Sequence, residues 1–177
     1  MVRMFYQKKW LEFLNNTFII LTLVSFLCFT GNILLRWYVA QHAPWSNGYE
    51  AVVFIAWVSM IAGFVFAKKN PVVIAVAAIL AFFLIFVSEM NLLDPEITPL
   101  QPVLKSYWLT IHVAIITGSY GFIGLSTFLG ILVMILIVLR RKSNEVKVSG
   151  FIEQLTTINE MSATVGLYFL TVGTFLG

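Results

Sequence analysis

The sequence predicts an all-α integral membrane protein of about five transmembrane helices, the last incomplete, and three observations predict it. Of 177 residues 60% are hydrophobic, only 11% are charged, and the charges fall between long charge-free intervals. A soluble domain carries roughly 25% charged residues and about half apolar ones. Five intervals contain no Asp, Glu, Lys or Arg: 13–35, 51–67, 70–88, 106–139 and 161–177. A spanning helix needs roughly 20 apolar residues, and within lipid the backbone must satisfy its own polar groups, so each interval reads as a helix.

The first helix is expected around Phe18 to Leu35. It is too long and too late for a cleaved signal peptide, so it is retained. The second covers Ala51 to Ala67, 17 residues, extended by Gly48 and Tyr49. The third runs from Pro71 to Ser88, with proline at a favourable first-turn position and Lys68, Lys69 and Asn70 as the tight turn before it. The fourth interval would make a helix of about 51 Å, well beyond the hydrocarbon thickness of about 30 Å, so part of it must leave the membrane. If the spanning part is the roughly 20 residues before Arg140, His112 lies about 12 Å above its start. The last interval, Met161 to Gly177, follows a polar, amphipathic stretch at 150–160. Its helix carbonyls would be left unpaired in lipid at Gly177, which is therefore expected to be a truncation point.

Topology follows from the basic residues. Nine of eleven (Arg3, Lys8, Lys9, Lys68, Lys69, Arg140, Arg141, Lys142 and Lys147) fall on one side if the helices alternate, against Arg36 and Lys105 on the other. By the positive-inside rule the N-terminus is cytoplasmic and the 40–50 and 89–107 segments face outward, carrying both histidines. The net charge of +3 thus reports topology, and nucleic-acid binding is not supported. A single cysteine, Cys28, excludes an internal disulfide and CxxC chemistry. With no repeat or linker, residues 1–177 form a single polytopic domain.

The outer segments hold most of the polar residues that could carry chemistry: Arg36, His42, Trp45, Ser46, Asn47, Tyr49 and Glu50, then Glu89, Asp94, Glu96, Lys105, Ser106, Trp108 and His112. No P-loop, GxGxxG, HExxH or hydrolase motif occurs. Histidine at a membrane edge among aromatics suits heme iron, and equally suits a headgroup-level anchor. Trp108, His112, Ser119 and Tyr120 are expected to share one face of the fourth helix. Glu50, at the start of the second span, wants a cationic partner, and Arg36 lies at a similar level. Two roles stay open: a structural interhelical ion pair, or Arg36 beside an anionic group such as a heme propionate. His42 is expected to be a solvated loop residue.

The segment Pro44-Trp45-Ser46-Asn47-Gly48-Tyr49-Glu50-Ala51, followed by Phe54 and Trp57, resembles the P-x-SNxYE-x3-F-x2-W pattern of CcsA-type (system II) cytochrome c biogenesis proteins. The run from Leu100 to Val113, ending in Trp108-Leu109-Thr110-Ile111-His112-Val113, resembles that family's PxLxSxWLxxHV segment. Phe151 to Gly177 is similar to the stretch leading into the family's tryptophan-rich WWD motif.

The resemblance implies cytochrome c assembly: heme (heme b) is exported and presented at the outer face of the membrane for thioether attachment to the CxxCH motifs of apocytochrome c. It implies that His112 is an axial ligand of heme iron, with Trp108, Tyr120, Arg36, Ser46, Asn47, Tyr49 and Glu50 at the cofactor site. It implies a multi-pass protein of the inner (plasma) membrane with its site on the periplasmic side, and a CcsB-like partner, separate or fused. Neither the WWD motif nor a second outer histidine lies in residues 1–177, so the chain is expected to be the N-terminal part of a longer CcsA-like module, inactive by itself as a heme lyase. The rival reading is a noncatalytic membrane scaffold subunit that binds no heme. A small transporter is disfavoured, because mid-membrane ionisable residues and paired broken helices are not evident.

Overall fold

The structure is a computed structural model in which residues 9–90, 93, 95–97, 106–140 and 145–177 are described, with the backbone alone at 9–11 and 145–147. The expectations on Arg3, Lys8, Asp94, Lys105, the 100–105 part of the second motif, Arg141 and Lys142 lie outside the described residues. Five helices follow in order: α1 (Lys9–Ala40), α2 (Gly48–Phe66), α3 (Val72–Glu89), α4 (Tyr107–Leu139) and α5 (Glu145–Leu176). The described residues contain no strand. Helices α1 to α4 are each long and apolar enough to cross a membrane, so the chain is a multi-pass all-α membrane protein.

Local chemistry sets the ends. Asn47 is extended and its side-chain oxygen accepts from the Glu50 amide at 2.8 Å, an N-cap that starts α2. Asn70 does the same for α3, accepting from the Val72 amide at 3.0 Å ahead of Pro71. Gln41, with φ 57°, closes α1 in a left-handed cap whose amide donates to the Trp37 carbonyl at 3.0 Å. Threonines inside the helices, such as Thr22, Thr127 and Thr171, return their hydroxyls to the carbonyl four residues back, leaving no unmatched donor toward lipid. Helix α5 joins the polar 150–160 stretch and the apolar one into one unbroken rod of 32 residues, with Glu153 and Glu160 on its exposed side.

Between helices in lipid there is no hydrophobic drive, and close backbone approach takes its place. Gly63 lies so near Ala77 that a side chain there would overlap it, which locks α2 to α3. At Gly121 a Cβ would come within 2.9 Å of Val58 and the Ser59 amide nitrogen, which sets α4 against α2. Gly166 does this between α5 and α4, with Ile123 Cγ1 at 2.7 Å. Around these contacts Ala56, Met60, Phe66, Val73, Leu80, Leu125, Leu129, Leu155 and Ile158 form the buried core. Helix α1 is the least buried of the four spans, with only 6% of its most apolar window buried, and meets α2 through Phe26, Trp57 and Phe64.

Alternation brings the end of α1, the start of α2, the end of α3, the start of α4 and the end of α5 together at one end of the bundle. The structure corrects where α4 has its surplus length. The Trp45 indole donates to the Thr110 carbonyl at 3.2 Å, so α2 begins level with the first turn of α4. Farther on, Gly118 meets Phe54, Gly124 meets Leu80, and the turn residues Lys69 and Asn70 reach Met161 and Gln154 of α5. Relative to α2 and α3, the surplus length of α4 therefore lies at the Arg140 end. His112 stands within the bundle end and not above it.

Candidate functional site

Two polar groups occupy the histidine end. The first is built on the α1–α2 loop. Arg36, in the last turns of α1, donates through Nε to Glu50 Oε1 at 3.0 Å. The other carboxylate oxygen accepts from the Ser46 amide at 2.9 Å and the Ser46 hydroxyl at 2.7 Å. Glu50 is 1% exposed and fully engaged. The Arg36 Nη2 group donates to the carbonyls of Pro95 and Glu96 at 2.9 and 3.5 Å, and the guanidinium lies 5.1 Å from the Tyr49 ring centre. Asn47 donates to the Glu96 carbonyl at 3.4 Å, and the Tyr49 hydroxyl donates to Glu89 at 3.2 Å. Arg36 and Glu50 are thus the interhelical pair expected from their common level, and they also fasten the α3–α4 connection to the loop.

His42 differs from its expectation as a solvated residue. It is half-buried, and its Nδ1 lies 3.2 Å from both the Ala43 carbonyl and the Ser46 hydroxyl oxygen. A carbonyl only accepts, so Nδ1 carries the hydrogen, and Ser46 accepts from His42 while donating to Glu50. The loop is short, and capping of α2 by Asn47 turns His42 back over Ser46.

The second group joins α4 to α5. His112 Nδ1 lies 2.7 Å from the Gly173 carbonyl oxygen. Here too the acceptor cannot donate, so Nδ1 bears the hydrogen and the lone pair of the neutral ring is on Nε2. One turn back, the Trp108 indole donates to the Leu176 carbonyl at 2.7 Å, occupying one of the carbonyls that a helix end leaves open. A side chain at Gly177 would collide with the His112 imidazole, so the backbone there lies close against the ring.

Tyr120 does not join this pair. Ser119 is fully buried with its hydroxyl turned to the Ile116 carbonyl, whereas Tyr120 is 46% exposed, so the expected polar and aromatic stripe divides between two faces. Successive helical residues point about 100° apart, which is enough to separate them. Among the described residues the bond from Trp45 to Thr110, two residues before His112, links the two groups. Trp45 was named among the residues of the outer segments and in the motif, but its indole partner is a backbone atom that no residue name marks.

The donor set at this end is small. Among the described residues no three His, Cys, Asp or Glu side chains converge to hold a metal ion. A single imidazole with its Nδ1 hydrogen fixed on a carbonyl and its Nε2 lone pair free suits iron already held by a macrocycle, which supplies the remaining in-plane nitrogens.

Comparison with known proteins gives the family of the chain. Residues 45–177 match the family model described as cytochrome C assembly protein. The chain is 39% identical over 161 residues to the protein NrfI of Wolinella succinogenes, a match over 91% of this chain and 18% of that protein. It is 27% identical over 197 residues to the cytochrome c biogenesis protein CcsA of Prochlorococcus marinus, covering 92% of this chain and 62% of the relative. Against CcsA of Capsella bursa-pastoris it is 29% identical over 154 residues, 84% of this chain and 46% of the relative. The chain thus spans less than two thirds of the length of each of these relatives.

Proposed function

Because this chain belongs to the cytochrome c assembly protein family, we propose that it forms part of a system II, CcsA-type cytochrome c synthase and holds heme b at the extracytoplasmic face of the inner membrane. Heme is the cargo: it supplies the vinyl groups to which the cysteine thiols of an apocytochrome CxxCH motif are joined. His112 is the group of this chain that binds it, as an axial ligand through Nε2. The single observation that carries this reading is the hydrogen bond from His112 Nδ1 to the Gly173 carbonyl, which leaves Nε2 as the donor atom. Trp108 holds the helix end beside that histidine.

The other candidate residues take supporting roles. Arg36, Ser46, Asn47, Tyr49 and Glu50 are engaged with one another and with the Pro95 and Glu96 carbonyls, which favours the ion pair as structural over Arg36 as an anion holder. They hold Trp45 against α4 and so build the floor on which His112 stands. The positive-inside distribution places this end outside, where an apocytochrome is met, and a CcsB-like membrane subunit, separate or fused, is the expected partner.

The test is the heme content of membranes carrying the protein with its native partners, wild type against His112→Ala. Heme per protein is expected to fall at least severalfold in the variant. Unchanged stoichiometry removes His112 from the site and leaves a heme-free scaffold as the better reading.

A further inference from the structure

Ligation by His112 depends on which ring nitrogen is bare, and that choice is made on α5. We propose that Gly173 is a positioning residue for His112: the absence of a side chain lets the α5 carbonyl reach Nδ1 and fixes the lone pair on Nε2. The consequence at iron rests on the heme reading above, whereas the tautomer is a property of the polypeptide and stands or falls by itself.

The close approach is specific to this line of the helix pair. A Cβ on Gly173 would come within 2.6 Å of Ile116 Cγ1 and 3.3 Å of the Ile116 amide nitrogen. The Ile116 side chain must shift or α5 must move outward, whereas the amide contact asks for only a few tenths of an ångström. Gly166 lies seven residues earlier on the same face, and there a Cβ would meet Ile123 Cγ1 at 2.7 Å and the Ile123 amide nitrogen at 3.1 Å. Two glycines two turns apart thus bring the backbone of α5 against α4 as far as the level of His112. The 2.7 Å bond from His112 to the Gly173 carbonyl exists only at that separation. Trp108, bonded to Leu176 at 2.7 Å, secures the last turn beyond it. A carbonyl acceptor on Nδ1–H excludes the other tautomer, orients the ring and raises electron density at Nε2, as partners behind metal-bound histidines do.

The experiment reads the ring directly. Nitrogen-15 spectra of the full chain in lipid, with His112 assigned by loss of its signals in His112→Gln, report which nitrogen is protonated. The wild type is expected to show Nδ1–H with bare Nε2, and Gly173→Ala to shift the tautomer ratio by about fivefold toward Nε2–H, the equilibrium weight of one ordinary hydrogen bond. Adding Ile116→Ala removes the nearest clash and is expected to restore the wild-type ratio. Gly166→Ala, equally tight but two turns away, is expected to shift the ratio less than Gly173→Ala does. Nε2–H in the wild type, or an unchanged ratio in Gly173→Ala, overturns the proposal; should Gly173→Ala fail to accumulate, the wild-type spectrum and the double variant decide. In heme-loaded protein the iron–histidine stretching frequency is expected to drop in Gly173→Ala. Should the tautomer behave as stated while no heme binds, the role of Gly173 stands and the heme reading falls.

Discussion

The two polar groups at the histidine end are neighbours joined by a single indole bond, yet they are built on opposite plans. In the α1–α2 loop every strong donor meets an acceptor within the network: Glu50 takes three hydrogen bonds from Arg36 and Ser46, and Arg36 goes on to two carbonyls. On α4, His112 has one nitrogen fixed on Gly173 and the other left with its lone pair. Such closure makes a rigid support, because a buried charge is tolerated only when its partners are all present. An open donor atom on a fixed ring is what a ligand needs. Motif membership is therefore a poor guide to role, since both groups come from motif segments and, among the residues of those segments, the imidazole belongs to His112 alone.

The contrast is broken most severely at Glu50. Glu50→Ala strands Arg36 and both Ser46 donors, and the cost expected from removing one partner of a buried pair is about 3–5 kcal/mol. It is read as a lower unfolding temperature in detergent and less protein in the membrane. Exchanging the charges, Arg36→Glu with Glu50→Arg, sharpens the point. An arginine at 50 cannot accept from Ser46, so the exchange is expected to recover only part of the loss, and full recovery would mean that the Ser46 bonds contribute little.

Gly121→Ala is next, because its Cβ would press on the Val58 side chain and the Ser59 backbone of α2. Overpacking of this kind costs about 1–3 kcal/mol, measurable by the same unfolding assay. Trp108→Phe retains the ring and loses the bond to Leu176, an expected change of about 1 kcal/mol accompanied by faster hydrogen exchange in the last turn of α5. The smallest effect is expected at Tyr120, whose hydroxyl has no hydrogen-bond partner among the described residues. Tyr120→Phe should change stability by less than about 0.5 kcal/mol and leave heme content unaltered; a loss of heme would return Tyr120 to the site.

Much of this architecture was legible in the residues. Charge-free intervals located α2, α3 and α4 to within a few residues, because lipid penalises charge more steeply than any local propensity acts, whereas α1 runs from Lys9 to Ala40, well beyond the expected Phe18 to Leu35. The pairing of Arg36 with Glu50 followed from two opposite charges at one membrane level. The parts that escaped involve the backbone. Gly173, Leu176 and Thr110 enter the site through carbonyls, which every residue possesses, so their names carried no signal. The seven-residue spacing of Gly166 and Gly173 was a visible clue to close packing of α5 on α4, and it is the feature that brings a carbonyl to His112. The placement of the α4 overhang also needed the packing, since length alone does not say which end of a long helix is in excess. The expected face shared by Ser119 and Tyr120 failed because a step of one residue on a helix is enough to pass from core to surface.

The division of labour between the two groups is tested most directly by heme per folded protein in His112→Ala and Glu50→Gln, prepared side by side with native partners. The expected result is a His112→Ala protein of normal abundance and unfolding temperature that has lost most of its heme. Glu50→Gln should be less abundant and less stable, with the heme ratio of its folded fraction retained. A His112→Ala protein with full heme, or a stable Glu50→Gln protein stripped of it, would contradict the assignment of binding to α4 and support to the loop.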